Sequence, residues 1–329
     1  MEPVTNHERP PNVFVIVGQT TSGKTSLAVD LAQKLGSIVI SADSLQVYRD
    51  FGVASDKITE AEMKGVKHHG IDLVPPSSEL NVSDYLAEVL PVIASELDAG
   101  RSPLIVGGTH MYVEKLLFQS RIDGDRELSP TNRHIPTIPK EYSIEYLALI
   151  DPDMASRLHR NDMRRVSRAI DYYHQTGVPM SVSLRNQTRA LRWPNVVVIV
   201  KDADESVMES RIATRVKDKM VKTGGLREEL SRIKTMIGTG ELRWNKGLLQ
   251  AIGYREFEAL ISNEIQTGQL NEHLFDEAVR QVIHNTIRYA KKQKKWIRKL
   301  EEYIEVIHTS DIDRILGASP SKLKSLPSW

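Results

Sequence analysis

The chain contains no cysteine. Disulfides, thiolate zinc sites and cysteine nucleophiles are therefore excluded, a composition that suits a reducing compartment. Net charge is almost absent as well, because 44 Lys and Arg against 43 Asp and Glu leave only +1. Such a chain has no global field drawing it to nucleic acid or a membrane, so any polyanion site must come from local clusters. No stretch approaches the roughly 20 apolar residues that span a bilayer. The opening MEPVTNHERPP is polar and carries Glu2 and Glu8, without the apolar core of a signal peptide or the acid-poor, Arg-rich helix of a transit peptide. We expect a cytoplasmic protein with no membrane partner, a nuclear or mitochondrial pool remaining open. Internal repeats and low-complexity segments are also lacking.

What is present is 329 residues, 40% apolar and 26% charged, enough to bury a sizeable core. Val13 to Val17 is wholly apolar and β-branched and stops at Gly18, the pattern of a strand buried on both faces of a parallel sheet. Leu27, Ala28, Leu31, Ala32 and Leu35 then recur at helical spacing. Ser37 to Ile40 and Pro103 to Val106 repeat the buried-strand pattern, with a helix predicted between them over Ser83 to Leu97. Alternating strands and helices predict an α/β fold, a mostly parallel sheet with helices on both faces.

After Ile122 come a polar stretch with Pro130, Pro136 and Pro139 and then Arg-rich helical text from Asp151 to Gln175. Strand pattern returns at Val196 to Val200, and everything beyond Ala203 reads as helix, ending in a long one over about 276–308. The expected organisation is a disordered lead (1–11), a core (12–122 and 195–308) with C-terminal helices, a mainly helical insert (123–194) and a tail (309–329) in which SPSKLKSLPSW is disordered.

Gly18 to Thr25, GQTTSGKT, matches G-x-x-x-x-G-K-[ST] between a strand and a helix, the context in which this P-loop pattern carries weight. Gly18 and Gly23 let backbone N–H groups wrap a phosphate, the helix N-terminus adds positive potential, Lys24 reaches outer phosphates and Thr25 can hold Mg²⁺. The loop specifies a di- or triphosphate without saying which. Asp43 follows the second strand, where strand ends of an open parallel sheet share a crevice, so it should lie near Lys24 as a base or a metal partner through water. The competing role is a helix N-cap. Gly107-Gly108-Thr109 ends the third strand and brings a hydroxyl to the same crevice, so Lys24, Thr25, Asp43 and Thr109 should converge. His68 and His69, adjacent on a strand, point to opposite sides and suit packing or hydrogen bonding better than a metal.

In order along the chain, GQTTSGKTSLA, SADSLQVYRD, GVKHHGID, LIVGGTHMY, DPDMASRLHRNDMRRVSRAIDYYHQTG, RIATRVKDKM, LLQAIGYREF and TIRYAKKQKKWIRK resemble the tRNA dimethylallyltransferases (tRNA isopentenyltransferases) over about residues 12 to 300. HMY after GGT and the KKQKKWIRK ending are closer to the eukaryotic branch. The resemblance implies transfer of a dimethylallyl group from dimethylallyl diphosphate to the exocyclic amine of adenosine 37 in tRNA. It implies that Gly18, Thr20, Thr21, Ser22, Gly23, Lys24 and Thr25 hold the diphosphate with Mg²⁺. Asp43 would be the general base, Ser44, Leu45 and Gln46 would contact the nucleotide beside it, and Thr109 would line the channel. One or both of Arg211 and Arg215, one turn apart, would reach the departing pyrophosphate, and Arg164, Arg165 and Arg168 would face tRNA. GLLQAIGYREF, with Gln250, Gly253 and Glu256, reads as support for the site.

Two clusters suit the anticodon stem-loop of a tRNA: Arg157 to Arg168 in the insert, and the acid-free run Arg288 to Lys299, in which Trp296 could stack or pack. Eukaryotic members commonly continue into a C-terminal zinc finger, which a chain without cysteine cannot supply, so no zinc is expected. That departure keeps a free adenine nucleotide open as acceptor, as in cytokinin-forming relatives. A P-loop small-molecule kinase and a tRNA-binding protein without catalysis are more distant alternatives. A monomer is expected.

Overall fold

In the computed structural model of the protein, residues 10–119, 141–185 and 190–324 are described. The stretch with Pro130, Pro136 and Pro139 and most of the lead lie outside them. The chain forms two compact units, one made of residues up to Leu117 and from Leu191 onward, the other of Phe118–Ala190.

The first unit is built on a six-stranded sheet, β1 (Val13–Val17), β2 (Val39–Ser41), β3 (His68–His69), β4 (Leu104–Gly107), β7 (Val196–Val200) and β8 (Ile307–His308), in the order β3-β2-β4-β1-β7-β8. Every pairing is parallel, with Val15 at the centre opposite Ile105 on one side and Val198 on the other. The fold is therefore the α/β, P-loop-like parallel sheet expected. All residues of β1 and β7 are buried, which is why neither shows polar alternation. Helix α1 (Lys24–Leu35) turns Leu27, Ala28, Leu31 and Ala32 into a core with Phe14, Ile16, Val39 and Leu104. It stops at Gly36, whose φ of 58° is left-handed. Because β4 lies between β2 and β1, the second strand is not the neighbour of the first; α1 carries the chain over it.

Besides a one-turn helix at Glu60–Met63, the described α-helices of this unit are α2 (Val82–Asp98), α3 (His110–Leu117), α8 (Glu205–Thr214), α9 (Gly225–Gly238), α10 (Glu258–Thr267), α11 (Glu272–Tyr303) and α12 (Ile312–Leu316). The long C-terminal helix is 32 residues, but it ends at Tyr303 instead of 308. Its successor is β8, whose Ile307 pairs with Ile199, so the text beyond Ala203 is not all helical. Residues 309–318 carry helix α12, and residues 319–324, expected to be disordered, are bonded to the sheet. Ile315 is fully buried in the main core, and Ser321 donates its N–H to Val196 O (2.6 Å) and accepts from Val198 N–H through Oγ (3.1 Å). Strand β8 pairs only with Ile199 and Val200, so the Val196 and Val198 backbone groups of β7 would otherwise stay unpaired, and this segment satisfies them. Among the described residues, no helix is long and apolar enough to cross a membrane.

The second unit begins with β5 (Phe118–Gln119), which pairs with β6 (Ala190–Leu191) where the chain passes back to the first unit, and contains the helices α4 (Ile144–Ile150), α5 (Pro152–Arg157), α6 (Met163–Thr176) and α7 (Met180–Arg185). Tyr146, Leu147, Ile150, Met154, Val166, Ala169 and Ile170 make its core. Asp151, 1% exposed, accepts N–H bonds from Met154 (3.0 Å) and Ser181 (2.8 Å), and so ties the starts of α5 and α7 together.

Candidate active site

The P-loop runs from the end of β1 into α1. Thr21 (φ 61°) and Gly23 (φ 84°) are left-handed, which turns successive N–H groups inward as an anion nest. A side chain at Gly18 would meet Lys201 O at 2.5 Å, so the loop base tolerates none. Inside this curl the hydroxyls of Thr21 and Ser22 are buried without partners, and Lys24 Nζ donates to Gln19 O at 2.7 Å. Burial lowers the Lys24 pKa to about 8, with the Asp43 carboxylate opposing the shift. Orphaned donors beside a buried ammonium are what a site for an anion looks like before the anion arrives.

The strand ends that carry Asp43 and Thr109 press together. A Cβ on Gly107 would lie 2.2 Å from Ala42 O, so only glycine lets the end of β4 press against the end of β2. Ala42 O consequently accepts from Thr109 N–H (3.4 Å), and Thr109 Oγ1 accepts from Ser44 N–H (3.2 Å). Asp43 Oδ1 accepts from Leu45 N–H (2.9 Å), a local turn and not a helix cap. Burial pushes the Asp43 carboxyl above its usual range, while the Leu45 N–H and Lys24 pull the other way.

A cavity of about 700 Å³ joins these parts. Thr20, Thr21, Gly23, Lys24, Thr25, Asp43, Gln46, Arg211 and Arg215 all border it, whereas Gly18, Ser22, Ser44, Leu45 and Thr109 do not. Gln46 is held by the Ser41 hydroxyl (2.8 Å). The two arginines differ: Arg211 is exposed, while Arg215, its side chain 15% exposed, donates from Nη1 to Thr20 Oγ1 (3.1 Å) and pairs with Asp56 (3.4 Å). Arg215 opens a seven-residue π-helix, Arg215–Val221, an uncommon geometry frequent at functional sites.

Sequence reasoning missed the support for Asp56. Glu229, 2% exposed, accepts the N–H groups of Gly52 (2.8 Å), Val53 (2.9 Å) and Ala54 (3.4 Å) and the Tyr254 hydroxyl (2.7 Å). Gly253, at φ 105°, has no room for a Cβ against Ala54 (2.7 Å), which explains the glycine in QAIGYREF. Glu256 accepts from Gly253 N–H at 2.8 Å and from Asn285 at 2.8 Å, a supporting role.

His68 Nδ1 contacts Val66 O (2.9 Å), and no cluster of three or more His, Cys, Asp or Glu suits a metal among the described residues. In the second unit α6 buries Val166, Ala169 and Ile170, which leaves Arg164, Arg165 and Arg168 exposed. On α11, Arg288, Lys292, Lys295 and Arg298 are exposed, Lys291 and Lys294 pair with Glu209 and Glu205, and Trp296 donates to Glu114 (2.8 Å), so its indole packs.

A nucleotide-type P-loop facing an acidic strand end and a clamped arginine defines a P-loop group-transfer enzyme. Residues 46–300 match the IPP transferase family and residues 11–73 the isopentenyl transferase family. A tRNA dimethylallyltransferase of Bacillus velezensis (strain DSM 23117 / BGSC 10A6 / LMG 26770 / FZB42) is 35% identical over 290 residues, 87% of each chain. One of Thermoanaerobacter sp. (strain X514) is 32% identical over 294 residues, 87% of this chain and 88% of that one. A solved eukaryotic dimethylallyltransferase acting on tRNA superposes with a TM-score of 0.74 at 28% identity, covering 87% of this chain and 70% of that one. The chain belongs to the IPP transferase family.

Proposed function

We infer that this protein transfers the dimethylallyl group of dimethylallyl diphosphate to tRNA and releases diphosphate. One observation carries the reading: in a chain of this family, the anion loop, Asp43 and Arg215 border a single cavity, so donor and acceptor can meet there. We assign the acceptor as the exocyclic amine of adenosine 37 in the anticodon stem-loop. The amine nitrogen attacks the allylic carbon, the carbon–oxygen bond breaks, and the diphosphate departs with the electron pair. An exocyclic aromatic amine is a poor nucleophile, so it gains from losing a proton to Asp43 as the new bond forms. Negative charge accumulating on the diphosphate is met by the loop N–H groups, Lys24 and Arg215. The base must leave its stack to enter, at a cost of a few kcal/mol.

A divalent cation fits these residues. Thr25 borders the cavity, and Asp43 and Asp56 add carboxylate oxygens to its wall, hard donors of the kind that Mg²⁺ takes. Thr25 would hold the ion, which neutralises diphosphate charge when bound.

Incubation with dimethylallyl diphosphate, Mg²⁺ and either tRNA or AMP, followed by mass analysis of nucleosides, tests the reading. Prenylated adenosine from tRNA alone supports it. Efficient prenylation of AMP replaces it with an adenylate enzyme, and ATP hydrolysis without prenyl transfer replaces it with a kinase.

A further inference from the structure

Within the basic run of α11 one polar residue faces inward. Gln293 is 3% exposed, and its amide spans two loops: Oε1 accepts from Thr20 N–H (2.8 Å) and Nε2 donates to Gly108 O (3.0 Å). One turn earlier, the Tyr289 hydroxyl donates to the same Gly108 O (3.1 Å). Between them, Ala290 O accepts from Gln19 Nε2 (3.1 Å), and Gln19 is itself 5% exposed. One helical face therefore grips the P-loop at Gln19 and Thr20 and the β4 end at Gly108. The fit is tight, since a Cβ on Gly108 would lie 2.2 Å from Gln293 Nε2.

The two gripped loops carry different halves of the chemistry. Thr20 begins the anion cradle and accepts from Arg215, while Gly108 leads into Thr109, which holds Ser44 beside Asp43. We propose that Gln293 is a positioning residue that fixes the separation between the diphosphate cradle and the acceptor side of the site. A buried amide of this kind satisfies polar groups wherever it sits, but here both partners are backbone atoms of two different loops that border one cavity. Reacting atoms must approach to roughly 3–3.5 Å, so a small loosening between the halves costs rate as well as affinity. The inference rests on the prenyl-transfer reading above and adds the element that sets the distance between its two substrates.

Two variants of the full-length protein test it. Gln293→Met keeps volume and loses both hydrogen bonds, whereas Gln293→Asn keeps the amide but is one methylene too short to reach both loops. For each, circular dichroism establishes folding at the assay temperature, calorimetry reads affinity for inorganic pyrophosphate with Mg²⁺, and single-turnover reactions read the chemical step on tRNA at saturating dimethylallyl diphosphate. Both variants should bind pyrophosphate about tenfold more weakly and react about tenfold more slowly while folded, the scale of one buried hydrogen bond. If Gln293→Asn restores both values, polarity alone is needed and the span is irrelevant, which overturns the proposal. So does a lower melting temperature with parental affinity and rate in the folded protein. Should the parent bind pyrophosphate yet prenylate no tRNA, the functional reading fails, and the pyrophosphate affinities alone then decide whether Gln293 shapes the cradle.

Discussion

Arg215 donates from Nη1 to the Thr20 hydroxyl 3.1 Å away, so a side chain 195 residues further along the chain closes onto the P-loop. Spacing alone treated Arg211 and Arg215 as equivalent, one turn apart on a helix. The π-helix that begins at Arg215 and the Asp56 carboxylate at 3.4 Å separate them.

The first prediction follows from that difference. Arg215→Ala removes a largely buried, hydrogen-bonded charge and should weaken pyrophosphate binding about tenfold to a hundredfold, the range for charged hydrogen bonds. Arg211→Ala removes an exposed charge screened by water, and should cost about fivefold at most. Calorimetric titration of both variants with pyrophosphate and Mg²⁺ checks the ranking. Equal losses would mean that Arg211 moves in to share the anion.

Lys24 gives a pH signature. Its pKa is lowered to about 8 by burial, with Asp43 and Asp56 raising it and Arg215 lowering it. Only the ammonium attracts diphosphate, so affinity is full below that value and declines as pH rises through it. In Lys24→Arg the charge persists at every accessible pH, and the decline should disappear. Comparing the two proteins cancels the titration of the ligand itself. Parallel pH profiles would show that Lys24 is not the group being titrated.

Much of this was legible before any coordinates because it is local. Strands buried on both faces announce themselves as apolar β-branched runs, and the P-loop needs its glycines at fixed spacing. Asp43 and Thr109 were reachable because strand ends in a parallel sheet share one edge. What could not be read is tertiary. Gln293 meets Thr20 across 273 residues, and Glu229 meets Gly52 across 177, and nothing in either local sequence marks the partner. Strand β8 was missed because Ile307–His308 is too short to show a period, and the Ser- and Pro-rich text after it resembles a tail although Ser321 is pinned to β7.

Asp43 should show opposite effects on rate and stability. With Asp43→Asn the chemical step falls by about a hundredfold or more, the scale for removing a positioned base. Burial raises the folded-state pKa above the unfolded one, so the folded protein holds the proton more tightly. The stabilising linkage is present below the unfolded pKa and lost as pH rises through the folded pKa, and at neutral pH the buried carboxylate costs stability. Asparagine keeps an oxygen for Leu45 N–H without that cost. The variant should therefore melt higher than the parent at neutral pH, with the difference shrinking in acid, as read by scanning calorimetry. A variant that melts lower at every pH would instead make Asp43 a structural residue of the turn.

The final prediction separates a tRNA acceptor from a free nucleotide by salt. Helix α6 keeps Arg164, Arg165 and Arg168 on its exposed side, and the Arg165–Asp162 pair at 3.4 Å is exposed enough to yield to a phosphate. Each phosphate neutralised releases counterions, so log affinity for tRNA should fall steeply with log salt, by about 0.9 per duplex contact. Replacing the three arginines by alanine should flatten that slope by about 2 or more and weaken tRNA use, if each meets a phosphate. Affinity for dimethylallyl diphosphate should not change, because no P-loop atom is touched. AMP, with few charges to neutralise, would give a shallow slope in both proteins. A triple variant that prenylates tRNA like the parent, with an unchanged salt slope, would remove α6 from the tRNA interface and leave the α11 cations, Arg288, Lys292, Lys295 and Arg298, as the next surface to replace.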